Sequence, residues 1–245
     1  MKPPNDRDVA VGDRLDELCA RWSLDRHQRE QLATLLEVLA RDRHAPSAIT
    51  DRPRAVDVHL ADSLAALELI GMGEAVEFAD IGAGAGFPGL VLAVALPTAS
   101  VALVESAARK AEFIERARRA AQIPNARAVA TRIELWSEGH EAHDVVTARA
   151  LGPLGMVCEY AAPLLRVGGR LIVWRGRRDR AEEANAARAA AELGLEARET
   201  VRSAPYAGAV EHHLHVYAKT ERTPAQFPRR PGVAVRRPLG GSSSG

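Results

Sequence analysis

One stretch of this chain constrains its fold more than any other: Asp80-Ile81-Gly82-Ala83-Gly84-Ala85-Gly86-Phe87-Pro88-Gly89, lying between a short β-like run at 77–81 and an apolar helical segment at 89–95. Glycine costs backbone entropy, so a cluster of it marks positions where φ must be positive or where something must approach the backbone closely. Such a loop, leaving a strand and opening a helix, belongs to a parallel strand-helix unit whose backbone amides face a polar ligand. The spacing is G-x-G-x-G, and Phe87 stands where a dinucleotide fingerprint needs its third glycine, which disfavours a nicotinamide dehydrogenase. The next β-like run, 100–104, is followed by Glu105, an acid placed to accept hydrogen bonds from both ribose hydroxyls of a nucleoside. Loop and acid together point to an adenosine-containing cofactor; the alternative is a glycine-rich turn followed by an incidental acid.

The remainder of the chain agrees with that unit. After Gly73, β-like runs at 77–81, 100–104, 127–130, 144–148, 170–174, 197–202 and 211–218 alternate with amphipathic stretches at 89–95, 107–121, 154–165 and 179–193. This is the pattern of an α/β fold with a mostly parallel sheet. The link 203–210 is too short for a crossover helix, so the last two of the seven strands must pair as an antiparallel hairpin. Ahead of them lie helices at 9–22 and 25–41, for which Ser23 is a candidate cap. A third follows, with the stripe Val56, Leu60, Leu64 and Leu67, ending at Gly71-Met72-Gly73. The expected organisation is a helical extension packed on the core at 1–73, an α/β domain at 74–220 and a basic Pro/Arg-rich tail at 221–245.

Composition excludes several classes. At 245 residues, with 47% apolar and 27% charged residues, the chain is globular and neither disordered nor fibrous. The uncharged run 81–104 has the length of a membrane span, but its four glycines and two prolines break it into strand, loop and helix. Cys19 and Cys158 sit in helix-like patterns, suited to reduced thiols and a cytoplasmic location. His212, His213 and His215 are read as the solvated face of a strand and not as metal ligands. The net charge of +1 hides a split: residues 219–245 carry +5 and the rest −4. Such a tail is either a solvated terminus or a phosphate-gripping arm. Arg175, Arg177 and Arg178, after the fifth strand, are either the solvated start of a helix or an RNA contact.

The glycine loop, Glu105 and the antiparallel last strand resemble class I S-adenosylmethionine-dependent methyltransferases, whose fold is Rossmann-like. The flanking motifs narrow this: His59-Leu60-Ala61-Asp62-Ser63-Leu64, Thr131-Arg132-Ile133-Glu134, Ala148-Arg149-Ala150, Trp174-Arg175-Gly176, Phe227-Pro228-Arg229-Arg230-Pro231-Gly232 and Arg236-Arg237-Pro238-Leu239. In this order they are similar to the bacterial 16S rRNA guanine-N7 methyltransferase family (RsmG, also called GidB), over about residues 10–239. The family usually has Asn-Leu-Thr where this chain has Ala45-Pro46-Ser47, Arg where it has Val58, and Lys-Gly where it has Arg175-Gly176.

The resemblance implies S-adenosyl-L-methionine as cofactor and 16S rRNA of the 30S subunit as substrate, for a monomer with no metal and no membrane partner. It implies that Gly82 and Phe87 contact the cofactor, that Ile133 and Glu134 lie against its adenine, and that Arg149 stands at the methionine end beside the substrate. Asp80, Gly84, Gly86 and Glu105 complete the expected cofactor set, and Arg229, Arg230, Arg236 and Arg237 join the strand-five arginines as expected RNA contacts. Independently, Ile133, Glu134 and Arg149 follow strands three and four, at the sheet edge where open α/β folds bind ligands. The plainer alternatives are a surface salt-bridge residue for Arg149 and a solvated helix-start acid for Glu134. Guanine N7 carries an in-plane lone pair, so in-line attack on a sulfonium methyl needs no general base, only positioning and tolerance of positive charge. Two rival functions are a silent paralogue that binds cofactor or RNA without transfer, and a small-molecule methyltransferase.

Overall fold

The computed structural model describes residues 6–70 and 77–240. Seven strands, β1 (Glu77–Ile81), β2 (Ser100–Glu105), β3 (Ala126–Ala130), β4 (His143–Arg149), β5 (Leu165–Arg175), β6 (Leu195–Ser203) and β7 (His212–Lys219), form one sheet in the order β3-β2-β1-β4-β5-β7-β6. The first five run parallel, while β7 is antiparallel to both β5 and β6. The expected hairpin is therefore present, and the sheet is the mostly parallel α/β arrangement that the strand-helix alternation predicts.

Helices cover both faces, which is why β1 and β2 are nearly continuous apolar runs. On one face α1 (Asp6–Trp22), α2 (Arg26–Arg41), α6 (Gly89–Ala95) and α7 (Ala108–Ala120) enclose a core that includes Leu15, Leu35, Phe78, Leu90, Val101 and Phe113. On the other, α8 (Leu154–Ala161) and α9 (Arg180–Glu192) pack over Ala79, Val104, Val146, Val157, Leu171 and Ala190. The N-terminal helices share their apolar core with the sheet, and polar ties fix them to it. Gln28 Nε2 donates to the Val94 carbonyl at 2.7 Å and Gln31 Nε2 to that of Gln122 at 2.8 Å. No helix among the described residues is long and apolar enough to cross a membrane.

Four local expectations are corrected. Asp25, not Ser23, caps α2: its carboxylate accepts the Gln28 amide at 2.8 Å while the Gln28 side chain accepts the Asp25 amide, a reciprocal capping box. Ser23 sits in the preceding turn at φ 53°. The helix expected at 154–165 stops at Ala161, because Pro163 in the following 3₁₀ turn has no amide hydrogen to continue it. The third helix is not one regular helix but α3 (Arg52–Ala55), a π-helical turn (Val56–Ala61), α4 (Asp62–Leu64) and α5 (Leu67–Ile70). Its stripe of Val56, Leu60, Leu64 and Leu67 is buried as expected, and its proposed end at 71–73 lies outside the described residues. Finally, His213 and His215 are buried and not solvated: Nδ1 of His213 meets the Gly176 carbonyl at 2.9 Å, and Nδ1 of His215 meets the Thr200 hydroxyl of neighbouring β6 at 3.1 Å.

Candidate active site

The C-terminal ends of β1, β2 and β4 open onto one edge of the sheet, and the glycine loop crosses it. Gly82 has φ 67°, and a Cβ there would stand 2.5 Å from the Leu151 side chain. Gly84, at φ 58°, faces open space, where a Cβ would meet only the Gly82 carbonyl at 3.8 Å. Its amide donates to Glu105 Oε2 at 3.1 Å, and Glu105 Oε1 accepts the Ala107 amide at 2.8 Å. Glu105 thus joins the loop to the start of α7 and retains lone pairs for further donors. Asp80 lies beneath the loop at 1% exposure, accepting the Gly89 amide at 3.0 Å and the Thr147 hydroxyl at 2.9 Å. Burial raises its pKa to about 6 against the pull of those two hydrogen bonds and of Arg149. Asp80 therefore shapes the loop from below. Gly86 turns the loop at φ 88°, and the Phe87 ring stacks on His59 with centroids 4.6 Å apart.

Arg149, at the end of β4, is the centre of a second group. Its Nη1 donates to the Val58 carbonyl and to Asp62 Oδ2, both at 3.0 Å, and its Nη2 lies 3.3 Å from His59 Nδ1. The π-helical turn is what brings Val58 and His59 within its reach. A guanidinium cannot accept a hydrogen bond, so His59 Nδ1 accepts and its proton sits on Nε2, facing Ser47 Oγ at 3.0 Å and the Ile49 carbonyl at 3.2 Å. Burial, together with the charge of Arg149, lowers the His59 pKa from 6.5 to about 4, so the ring is neutral near pH 7.

Asp62 ties the group together. Its Oδ1 is 3.2 Å from His212 Nδ1, and its carbonyl accepts Trp174 Nε1 at 2.9 Å. His212 in turn lies 3.3 Å from the Tyr206 hydroxyl. Asp62, Arg149, Trp174 and His212, with Arg175 and Arg177, line a cavity of about 290 Å³. Sequence reasoning assigned no role to His59, Asp62 or His212. The only signal was the pairing of histidine and aspartate three residues apart in one of the flanking motifs.

A second cleft, of about 150 Å³, opens beside β2 and is lined by Val104, Ser106, Ile133, Glu134, Tyr160 and Val235 among others. Ile133 and Glu134 lie on a 3₁₀ turn that follows β3. The Glu134 side chain is only 4% exposed, which removes the reading of a solvated acid. It accepts from Arg132 Nη2 at 2.9 Å, the Gly232 amide at 3.1 Å and the Tyr160 hydroxyl at 3.3 Å. Burial works against its ionisation, but Arg132 and the backbone amides outweigh it and hold the carboxyl below its ordinary pKa. Burial and this carboxylate push Tyr160 up to about 12, so its hydroxyl stays a donor.

The C-terminal tail reaches this cleft. Phe227 and Ala234 are buried, and Arg229 grips the 1% exposed Glu159 side chain through two oxygens, at 2.8 and 2.5 Å. The tail is accordingly packed as a strap against α8. Of the arginines expected to meet RNA, three are engaged within the chain: Arg229 as described, Arg175 with Glu182 at 2.5 and 2.6 Å, and Arg178 with Glu183 at 2.6 and 2.8 Å. Arg177, Arg230, Arg236 and Arg237 are exposed.

The strand order with β7 antiparallel, the glycine loop after β1 and the acid ending β2 define a class I, Rossmann-like methyltransferase. In fold the chain is similar to a predicted O-methyltransferase from Agrobacterium tumefaciens, with a TM-score of 0.51 and 24% identity over 66% of this chain and 81% of that one. The family model described as rRNA small subunit methyltransferase G matches residues 28–209. Proteins named Ribosomal RNA small subunit methyltransferase G are 38% identical in Chloroflexus aggregans, over 92% of this chain and 97% of that protein, and 35% identical in a Synechococcus strain, over 89% and 88%. The chain belongs to the rRNA small subunit methyltransferase G family.

Proposed function

We propose that this protein transfers a methyl group from S-adenosylmethionine to N7 of a guanine in 16S rRNA of the small ribosomal subunit. Beyond family membership, the observation that carries the reading is the presence on one sheet edge of a cleft lined by Ile133, Glu134 and Tyr160 and a separate polar cavity lined by Arg149. The residues suit the cofactor: Gly84 leaves open space where a side chain would stand, Glu105 has acceptor capacity for ribose hydroxyls, and Ile133 and Tyr160 offer apolar surface to an adenine. Bound there, S-adenosylmethionine supplies an electrophilic methyl carbon.

The chain's own residues then have a positioning task. Guanine N7 presents its lone pair without deprotonation, so the Arg149 group need supply no general base. His59 Nδ1 accepts from Arg149, and the Asp62 carboxylate is paired with Arg149 and His212. Arg149, held from three directions, orients the acceptor or the methionine end of the cofactor, while exposed Arg177, Arg230, Arg236 and Arg237 meet RNA phosphates. A ribosomal substrate carries with it a cytoplasmic location.

The test is incubation of the purified protein with 30S subunits lacking N7 methylation and with labelled S-adenosylmethionine, followed by nucleoside analysis by mass spectrometry. Labelled 7-methylguanosine is the expected product. No label despite intact cofactor binding refutes the reading in favour of a silent paralogue, and turnover without RNA refutes it in favour of a small-molecule enzyme.

A further inference from the structure

The C-terminal strap, residues 227–240, has two unlike sides. Its inner side forms part of the wall of the adenine cleft: Val235 lines it, and the Gly232 amide, presented from a backbone at φ 79°, donates to Glu134 Oε1. Its outer side exposes Arg230, Arg236 and Arg237. A few ties hold it down: the Arg229–Glu159 pair, the buried Phe227 and Ala234, and Arg188 Nη2 donating to the Gly240 carbonyl at 3.0 Å. The helix within it, α10 (Val233–Arg236), is a single turn.

We propose that this strap is a two-sided binding element, completing the adenine cleft on its inner side and taking RNA backbone phosphates on its outer side, so that cofactor and RNA tighten each other's binding. The inference rests on the rRNA methyltransferase reading above. Val235 is 60% exposed, and an adenine in the cleft gives its side chain the apolar contact that the chain alone does not. Cofactor binding thereby stabilises the docked strap. Docking also fixes the backbone from which exposed Arg230, Arg236 and Arg237 project, so that the entropy of ordering a loose segment is not lost at the moment RNA binds. Two ligands that favour the same state of one element are coupled, and each must strengthen the other by the same factor.

The experiment measures binding of the full-length protein to 30S subunits lacking the methyl mark, by sedimentation at fixed ionic strength, with and without saturating S-adenosylhomocysteine, which cannot react. The expected result is a tightening of about fivefold or more on adding S-adenosylhomocysteine. In the triple variant Arg230→Gln/Arg236→Gln/Arg237→Gln the log-log salt slope of binding falls by about three and the tightening drops below about twofold. Its affinity for S-adenosylhomocysteine without RNA stays at the wild-type value. The double variant Arg229→Met/Glu159→Gln releases the strap without leaving a buried charge, and is expected to weaken S-adenosylhomocysteine binding while retaining a cooperative melt. A wild-type protein that methylates 30S subunits yet shows no tightening overturns the inference, as does a triple variant that keeps the full tightening. If no 30S methylation occurs at all, the functional reading itself falls, and the inference with it.

Discussion

His59 is buried at 6% exposure, with Arg149 Nη2 at 3.3 Å on one side and the Phe87 ring stacked on its face. A proton added at Nδ1 would break the hydrogen bond from Arg149 and set two positive charges side by side in a desolvated space. Burial first, and the charge of Arg149 after it, lower its pKa from 6.5 to about 4. The unfolded chain takes up this proton near pH 6.5 and the folded chain only near pH 4, so the stability His59 confers is complete above pH 6.5 and is lost as the pH falls toward 4. One pKa unit is worth about 1.4 kcal/mol, so at about pH 5 the loss amounts to about 2 kcal/mol.

The perturbation is His59→Gln, which keeps an acceptor for Arg149 and a donor for Ser47 but does not titrate. Urea unfolding of both proteins at about pH 7.5 and about pH 5 yields a difference of differences, in which the variant's lost stacking cancels. The cancellation matters because burial also lowers the pKa of His143 and of His215. The wild type is expected to lose about 2 kcal/mol more than His59→Gln between the two pH values. Equal losses, within about 0.5 kcal/mol, refute the argument that burial beside Arg149 holds this ring neutral.

Arg149→Ala is expected to lower kcat on 30S subunits by about 100-fold while S-adenosylhomocysteine still binds, as quench-flow and calorimetry will show. Glu105→Ala removes the carboxylate that faces the glycine loop and should weaken S-adenosylmethionine binding by about tenfold, measured by calorimetry. Gly84→Ala forces a side chain into a φ of 58° and into the open space over the loop. It should cost about 1–2 kcal/mol in urea unfolding, with a larger loss in cofactor affinity. Asp80→Asn removes a buried charge whose pKa is raised from 3.8 to about 6. Folding binds that proton earlier than the unfolded chain does, so wild-type stability falls as pH rises from 4 to 6, and the variant should lack this component of its urea-unfolding profile.

What could be read from the sequence was local. The glycine loop announces itself because its backbone needs glycine irrespective of context, and Glu105 is found by counting along the next strand. The hairpin of the last two strands follows from the length of its link. By contrast, β5 begins at Leu165, not near residue 170. Its first residues, Arg166 to Gly169, look like a loop, and only an irregular register with β4 draws Leu165 into pairing with His143. The Arg149 group was hidden for the same reason: Asp62 and His212 are separated by 150 residues in the chain. The π-helical turn was invisible because apolar spacing does not record which carbonyl an amide selects. The tail's charge was legible but its docking was not, since nothing local pairs Arg229 with Glu159, 70 residues earlier.

The position of β7 has a consequence for the order in which this protein can be made. β6 pairs with β7, and β7 fills the space between it and β5. As the chain leaves the ribosome, β6 emerges with no strand to join and β5 presents a bare edge, a state open to mispairing. Only when residue 219 has emerged can the sheet close, and the strap follows it onto α8. The cleft lined by Val235 is therefore finished only after residues beyond β7 have emerged and docked.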